Sequence, residues 1–140
     1  MTIRQLVYTS VMTIDESQVA NEIQGIIDRC KQRNPLIGVT GCLMVSGRRV
    51  VQFLEGPAES VDPLYDKICR DPRHTRVKSL YCGESEKREV PDWAMALCDL
   101  GAATEDDVAL HSLFAALQGA FKFHMNDFRA LIQTHLFERD

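Results

Sequence analysis

The sequence predicts an α+β fold of ferredoxin-like topology, βαββαβ, with an additional fifth strand and two C-terminal helices. Two observations carry this expectation. Strand-like apolar runs and helical periodicities alternate in that order between Ile3 and Leu100, and a glycine-bearing turn, Ser46-Gly47-Arg48-Arg49, joins the second and third strands as a hairpin. The 140 residues give room for one domain with a real core and an appendage.

Ile3 to Ser10 is rich in β-branched and apolar residues on both alternating faces, as in a strand covered on both sides. Val19, Ile23, Ile26, Ile27 and Cys30 then recur at helical spacing, with Asp15 and Thr13-x-x-Glu16 as capping candidates. Asn34-Pro35 is expected to stop this helix, because the residue before proline is pushed out of the α region. Strands are expected at Ile37 to Val45 and Val50 to Glu55, with Gly47 supplying the positive φ of a tight hairpin. Val61, Leu64, Tyr65 and Ile68 mark a second helix, in which Pro63 belongs in the first turn. A fourth strand follows at Arg76 to Cys82 and a fifth at Trp93 to Leu100, separated by the charged loop Glu84 to Pro91. Beyond Gly101, Leu110, Leu113, Phe114 and Leu117, then Met125, Phe128, Leu131, Ile132 and His135, predict two short helices packed on the sheet.

The formal net charge of −4 argues against a nucleic-acid binder, which would show a basic domain or stripe. No leader-like start and no bilayer-length apolar run is present, so the expectation is a cytoplasmic chain without a membrane partner. Five cysteines, widely spaced and without C-x-x-C, read as buried free thiols rather than a disulfide framework or a zinc site. The four histidines lack metal-site spacing, and no G-x-S-x-G or Cys/His signature proposes a nucleophile.

Several polar residues sit in unusual company. Tyr8 lies in Leu6-Val7-Tyr8-Thr9-Ser10 and Gln52 in Val50-Val51-Gln52-Phe53-Leu54-Glu55-Gly56. Alone, Tyr8 reads as core and Gln52 as the polar tooth of an alternating strand. Asn34 precedes Thr40-Gly41; Asp71-Pro72-Arg73-His74 follows the second helix; Trp93-Ala94-Met95 opens the last strand. This ordered set, from about Ile3 to Leu100, resembles the BLUF family of blue-light sensors that bind FAD. Val90 departs from it, since members often carry phenylalanine after the arginine equivalent to Arg88.

The resemblance implies a flavin-binding photosensor domain at 1–101 and a helical extension at 102–140. With no G-x-G-x-x-G to grip a pyrophosphate, the ring is expected in a slot between the two helices. Ile26 and Ile68 would sandwich it, although each alone is an ordinary stripe isoleucine. Asn34 would grip its carbonyl and N–H edge, a carboxamide being both donor and acceptor, whereas Asn34-Pro35 alone reads as a helix end. Asp71, Arg73 and His74, with Lys67 one helical turn earlier, would hold the pyrimidine edge and the ribityl or phosphate arm. Tyr8 is the expected photochemical electron and proton donor and Gln52 the switchable amide, with Trp93 and Met95 on one face of the last strand beside it.

The expected cofactor is FAD, with FMN or riboflavin as substitutes, and no metal. A separate downstream signalling protein is the expected partner, the chain is expected to be a homo-oligomer, and no enzyme activity is expected of it. A small flavin-dependent oxidoreductase and a non-photochemical ferredoxin-like regulatory module are the alternatives; a light-induced red shift without NAD(P)H consumption separates the sensor from the first, and a yellow purified protein separates it from the second.

Overall fold

The computed structural model describes residues 2–99 and 128–129. The elements run β1 (Ile3–Met12), α1 (Glu16–Ile37), β2 (Thr40–Ser46), β3 (Arg49–Gly56), α2 (Ala58–Arg70), β4 (His74–Ser85) and β5 (Ala96–Asp99). They form one sheet in the order β4-β1-β3-β2-β5. The first four strands pair antiparallel with their neighbours, as ferredoxin-like topology requires, and β5 adds parallel to β2.

Alternation along the central strands divides the core into two layers. Leu6, Tyr8, Leu43, Val50 and Leu54 face one way and pack with Val19, Ile23 and Ile27 of α1 and Val61 and Leu64 of α2. Val7, Cys42, Met44, Val51 and Phe53 face the other way, under Val90 and Phe128. The Phe53 and Phe128 rings meet edge-on at 5.7 Å. Full burial of a side chain of this size contributes roughly 1.5–3 kcal/mol, so the back face is a second core rather than a wetted surface. Apart from Phe128 and Arg129, the two helices expected near the C-terminus and the expected 102–140 extension lie outside the described residues.

Local boundaries differ from expectation in instructive ways. Asp15 is the N-cap of α1, accepting from the Ser17 N–H at 3.1 Å, while the Thr13 hydroxyl donates instead to the Pro72 carbonyl at 2.9 Å. Pro35 does not stop α1, which runs one turn further to Gly38 at φ 72°, the left-handed conformation that ends many helices. Two anchors outweigh the local preference of the residue before proline. The Asn34 carbonyl accepts from the N–H groups of Gly38 and Val39, and its side chain is tied to Ala94. β2 accordingly begins at Thr40 rather than Ile37.

Pro63 is also deeper than expected, five residues after Ala58 and past the first turn of α2. Gly47 turns the hairpin with φ 59°, and Arg48 stays at negative φ, the pattern of a II′ turn. β4 starts earlier and ends later than its apolar residues suggest, and β5 is only four residues long, leaving Trp93 and Met95 in the connection before it. The cysteines are not uniformly buried: Cys30 and Cys42 are, whereas Cys69 and Cys82 are exposed.

Candidate functional site

Between α1 and α2, above the helix-facing side of β1 and β3, lies a cleft with about 710 Å³ of unfilled space, part of it open to solvent. Ile26 of α1 and Ile68 of α2, both half-buried, line it from the two helices. Leu43, Val50 and Leu54 form part of its floor, and Tyr8 and Gln52 bring polarity to that floor.

Tyr8 and Gln52 are direct cross-strand partners on β1 and β3, which places their side chains on the same face. Both are buried, and the Tyr8 hydroxyl donates to Gln52 Oε1 in a short hydrogen bond. Gln52 Nε2 donates to Met95 Sδ at 3.5 Å. A thioether is a weak acceptor and the amide nitrogen carries two hydrogens, so Gln52 keeps donor capacity for a ligand in the cleft. Burial pushes the Tyr8 phenol above its ordinary value of about 10, with Cys30 and Tyr65 adding in the same direction. Tyr65 packs 5.6 Å from the Tyr8 ring, and its own phenol is pushed up to about 12, chiefly by burial and then by its hydrogen bond with Cys69.

At the end of α2, Asp71 accepts from the Arg73 N–H and Nε, each at 2.9 Å, and Arg73 Nη1 reaches Glu22 of α1 at 2.9 Å. The Arg73 guanidinium thereby ties the two helices together and holds the Asp71 carboxyl down to about 2. The same carboxylates raise Arg73. His74 is fixed from both ring nitrogens, by the Ile68 carbonyl at Nε2 and by the Ser10 hydroxyl at Nδ1, 3.0 Å away. A carbonyl only accepts, so Nε2 carries the proton, and in the neutral ring Nδ1 accepts from Ser10.

Seven of the expected site residues therefore line one cleft: Tyr8, Ile26, Gln52, Ile68, Asp71, Arg73 and His74. Four do not. Asn34 is fully buried behind it, with Nδ2 donating to the Ala94 carbonyl at 2.6 Å and Oδ1 accepting from Arg33. Lys67 is exposed and outside the lining. Met95 supports Gln52 from the helix-side core, whereas Trp93 packs on the back-face core beneath the sheet. Trp93 and Met95 thus lie on opposite faces, contrary to the expected alternation, because both precede the regular strand.

Arg29, Cys30 and Arg33 line the cleft and were not among the expected residues. Arg29 and Arg33 fall three and seven places after Ile26, on the same helix face, so the periodicity contained the signal. The mixed lining, an apolar slot with a donor–acceptor pair on its floor and guanidinium groups on one wall, fits a planar heteroaromatic ligand with an anionic arm. Ile26 and Ile68 would flank its ring, Gln52 would meet its acceptor edge, and Arg29 and Arg33 would face its anionic arm.

Fold and site together describe a ferredoxin-like domain with a small-molecule cleft between its two helices. The comparisons narrow that class. The family model described as "BLUF: Sensors of blue-light using FAD" matches residues 3–96, and the chain belongs to this family; its cofactor is a flavin. Over 127 residues it is 36% identical to the blue light- and temperature-regulated antirepressor BluF of Escherichia coli (strain K12), covering 90% of this chain and 30% of that protein. It is 36% identical over 93 residues to the photoactivated adenylate cyclase subunit alpha of Euglena gracilis, covering 66% of this chain and 9% of that protein. The chain therefore spans less than a third of either relative. The dark-state structure of BlrB, a BLUF protein, superposes with a TM-score of 0.69 at 28% identity, covering 84% of this chain and 89% of the other. A role in photoreceptor signalling follows from the family. No helix among the described residues is long and apolar enough to cross a membrane.

Proposed function

We propose that this chain senses blue light through FAD held non-covalently in the α1–α2 cleft, with Tyr8 as donor and Gln52 as switch, and that it signals to a separate protein. The observation that carries the reading is the buried Tyr8–Gln52–Met95 chain on the cleft floor. The excited flavin supplies a strong one-electron oxidant. The rest is done by side chains. Tyr8 is buried and un-ionised, so when it gives up an electron its proton must leave along the one hydrogen bond its hydroxyl donates, toward Gln52 Oε1. The carboxamide then rotates or tautomerises, exchanging its donor and acceptor ends, and the contact from Nε2 to Met95 Sδ is broken. When the electron and proton have returned, Tyr8 is a neutral phenol again and the lasting change is the orientation of Gln52.

Altered donation to the chromophore shifts its absorption to the red without a net change of redox state. The mechanical consequence begins at Met95, which leads into β5. A signal of this kind is limited to the free-energy difference between dark and lit forms, typically ~1–3 kcal/mol for coupled sites. Absorption spectra of the purified protein before and after blue light test the proposal. One flavin per chain and a reversible red shift are expected; colourless protein that does not take up added FAD would refute it, as would a bound flavin with an unresponsive spectrum.

A further inference from the structure

We propose that Glu55 is a positioning residue for the light switch: its buried carboxylate latches the segment carrying Met95 to β3 and thereby holds Met95 against Gln52. The inference rests on the photosensor reading but concerns a residue on the other side of the sheet from the cleft.

Glu55 has no solvent exposure, yet it carries no direct salt bridge among the described residues. Instead four donors converge on its two oxygens. They are Gln5 Nε2 of β1 at 3.3 Å, Thr40 Oγ1 of β2 at 3.0 Å, and the backbone N–H groups of Glu89 and Val90 at 2.8 and 2.9 Å. A buried carboxylate is retained only where such donors satisfy it. Two of the four belong to the connection between β4 and β5, so Glu55 fixes that connection to the sheet. Arg88 reinforces the fixation, donating to the Thr40 hydroxyl at 2.9 Å and to the Gly38 carbonyl at 2.6 Å.

From Val90 the path to Met95 is short and held at each step. Trp93 N–H donates to the Val90 carbonyl at 3.2 Å, the Trp93 carbonyl accepts from Gly41 at 3.0 Å, and the Ala94 carbonyl accepts from Asn34. Met95 then packs over Gly41, where an added Cβ would lie 3.2 Å from its Cε. Turning the Gln52 amide breaks its hydrogen bond to Met95 Sδ, and how readily Met95 yields depends on how firmly the segment is held. Loosening the latch therefore lowers the barrier to turning back.

Glu55→Gln in the full chain replaces one acceptor oxygen by an NH₂ group that confronts a backbone N–H. The expected result is flavin stoichiometry and red shift as in the wild type, with thermal dark recovery at least fivefold faster. A purely structural role would lower the melting temperature and leave recovery unchanged, and that result would overturn the proposal. Should Glu55→Gln fail to fold, Thr40→Val, which removes the hydroxyl shared by Arg88 and Glu55 at nearly constant volume, decides instead: at least twofold faster recovery is expected, and an unchanged rate overturns the latch. Absence of any red shift in the wild type would overturn the photosensor reading and this proposal with it, whereas a wild-type red shift with unaltered recovery in the variants overturns the latch alone.

Discussion

Replacing Tyr8 by Phe removes a single oxygen from the floor of the cleft, and the consequences for stability and for photochemistry separate cleanly. Tyr8 and Gln52 are 4% and 5% exposed, so the Gln52 oxygen freed by the substitution has no ready access to water. An unsatisfied buried acceptor costs ~1–3 kcal/mol, partly offset because the phenyl ring that remains is itself well packed. A net loss of about 1–2 kcal/mol corresponds to a melting temperature lower by roughly 3–10 °C for a domain of this size. Flavin binding should survive, since the ring still fills its place beside Tyr65, but the donor of electron and proton is gone and the red shift should be absent. Thermal melts followed by circular dichroism, with light-minus-dark absorption spectra on the same samples, test both halves. A Tyr8→Phe variant that red-shifts like the wild type would refute the assigned role, and one with an unchanged melting temperature would refute the hydrogen-bond argument. The wild type adds a pH check. Burial raises the phenol, so the folded protein keeps its proton where the unfolded chain begins to ionise, near 10. Stability contributed by Tyr8 is full below that value and lost above it, and the red-shift amplitude should stay flat between about pH 6 and 9.

Gln52→Leu should also retain flavin and lose the red shift, because the Tyr8 hydroxyl then has no amide to receive its proton; difference spectra decide. Gly41→Ala should destabilise the protein by more than ~2 kcal/mol, read as a lower denaturation midpoint, because the new Cβ would fall 2.1 Å from the Phe53 carbonyl oxygen of β3 and backbone must move. The Asp71 carboxyl, lowered from 3.8 to about 2, contributes stability that is present above pH 3.8 and lost as pH falls through 2. Because the Arg73 side chain is 42% exposed, solvent screening limits the effect to roughly 1 kcal/mol. Asp71→Asn should remove that part of the acid dependence, measured as flavin release between about pH 4 and 2.

What could be read from the chain depended on whether local pattern or distant contact decided the outcome. The apolar runs of β1, β2 and β3 and the stripe of α1 are set by burial, so their presence was legible even where ends slipped. Pro35 misled because a rule about two adjacent residues met anchors at Gly38 and Ala94 that no local window contains. Trp93-Ala94-Met95 has the apolar character of a strand, but the chain there crosses from the back-face core to the helix-side core, so the two-residue alternation fails. In the site, Tyr8 and Gln52 were legible only as members of an ordered set, since each alone is ordinary. Lys67 was placed by its spacing to Asp71, yet is exposed and outside the cleft lining, whereas Arg29 and Arg33 share the face of Ile26 but belong to no element of the ordered motif set.

The irregular pairing of β4 bears on how copies of this chain can meet. Against β1, Val7 and Tyr8 are opposite Tyr81 and Ser79, and Thr9 and Val11 are opposite Lys78 and Thr75, so β4 carries an extra residue at two points and Arg76 takes φ 55° at the second. Bulges of this kind kink a strand and sharpen its twist, and Arg76 and Lys78 add positive charge along the rim. A second sheet could extend across that border only by straightening both kinks and bringing like charges side by side. Growth of a continuous intermolecular sheet through β4 is therefore blocked by the shape of the strand itself, and self-association has to use side-chain surfaces or another border of the fold.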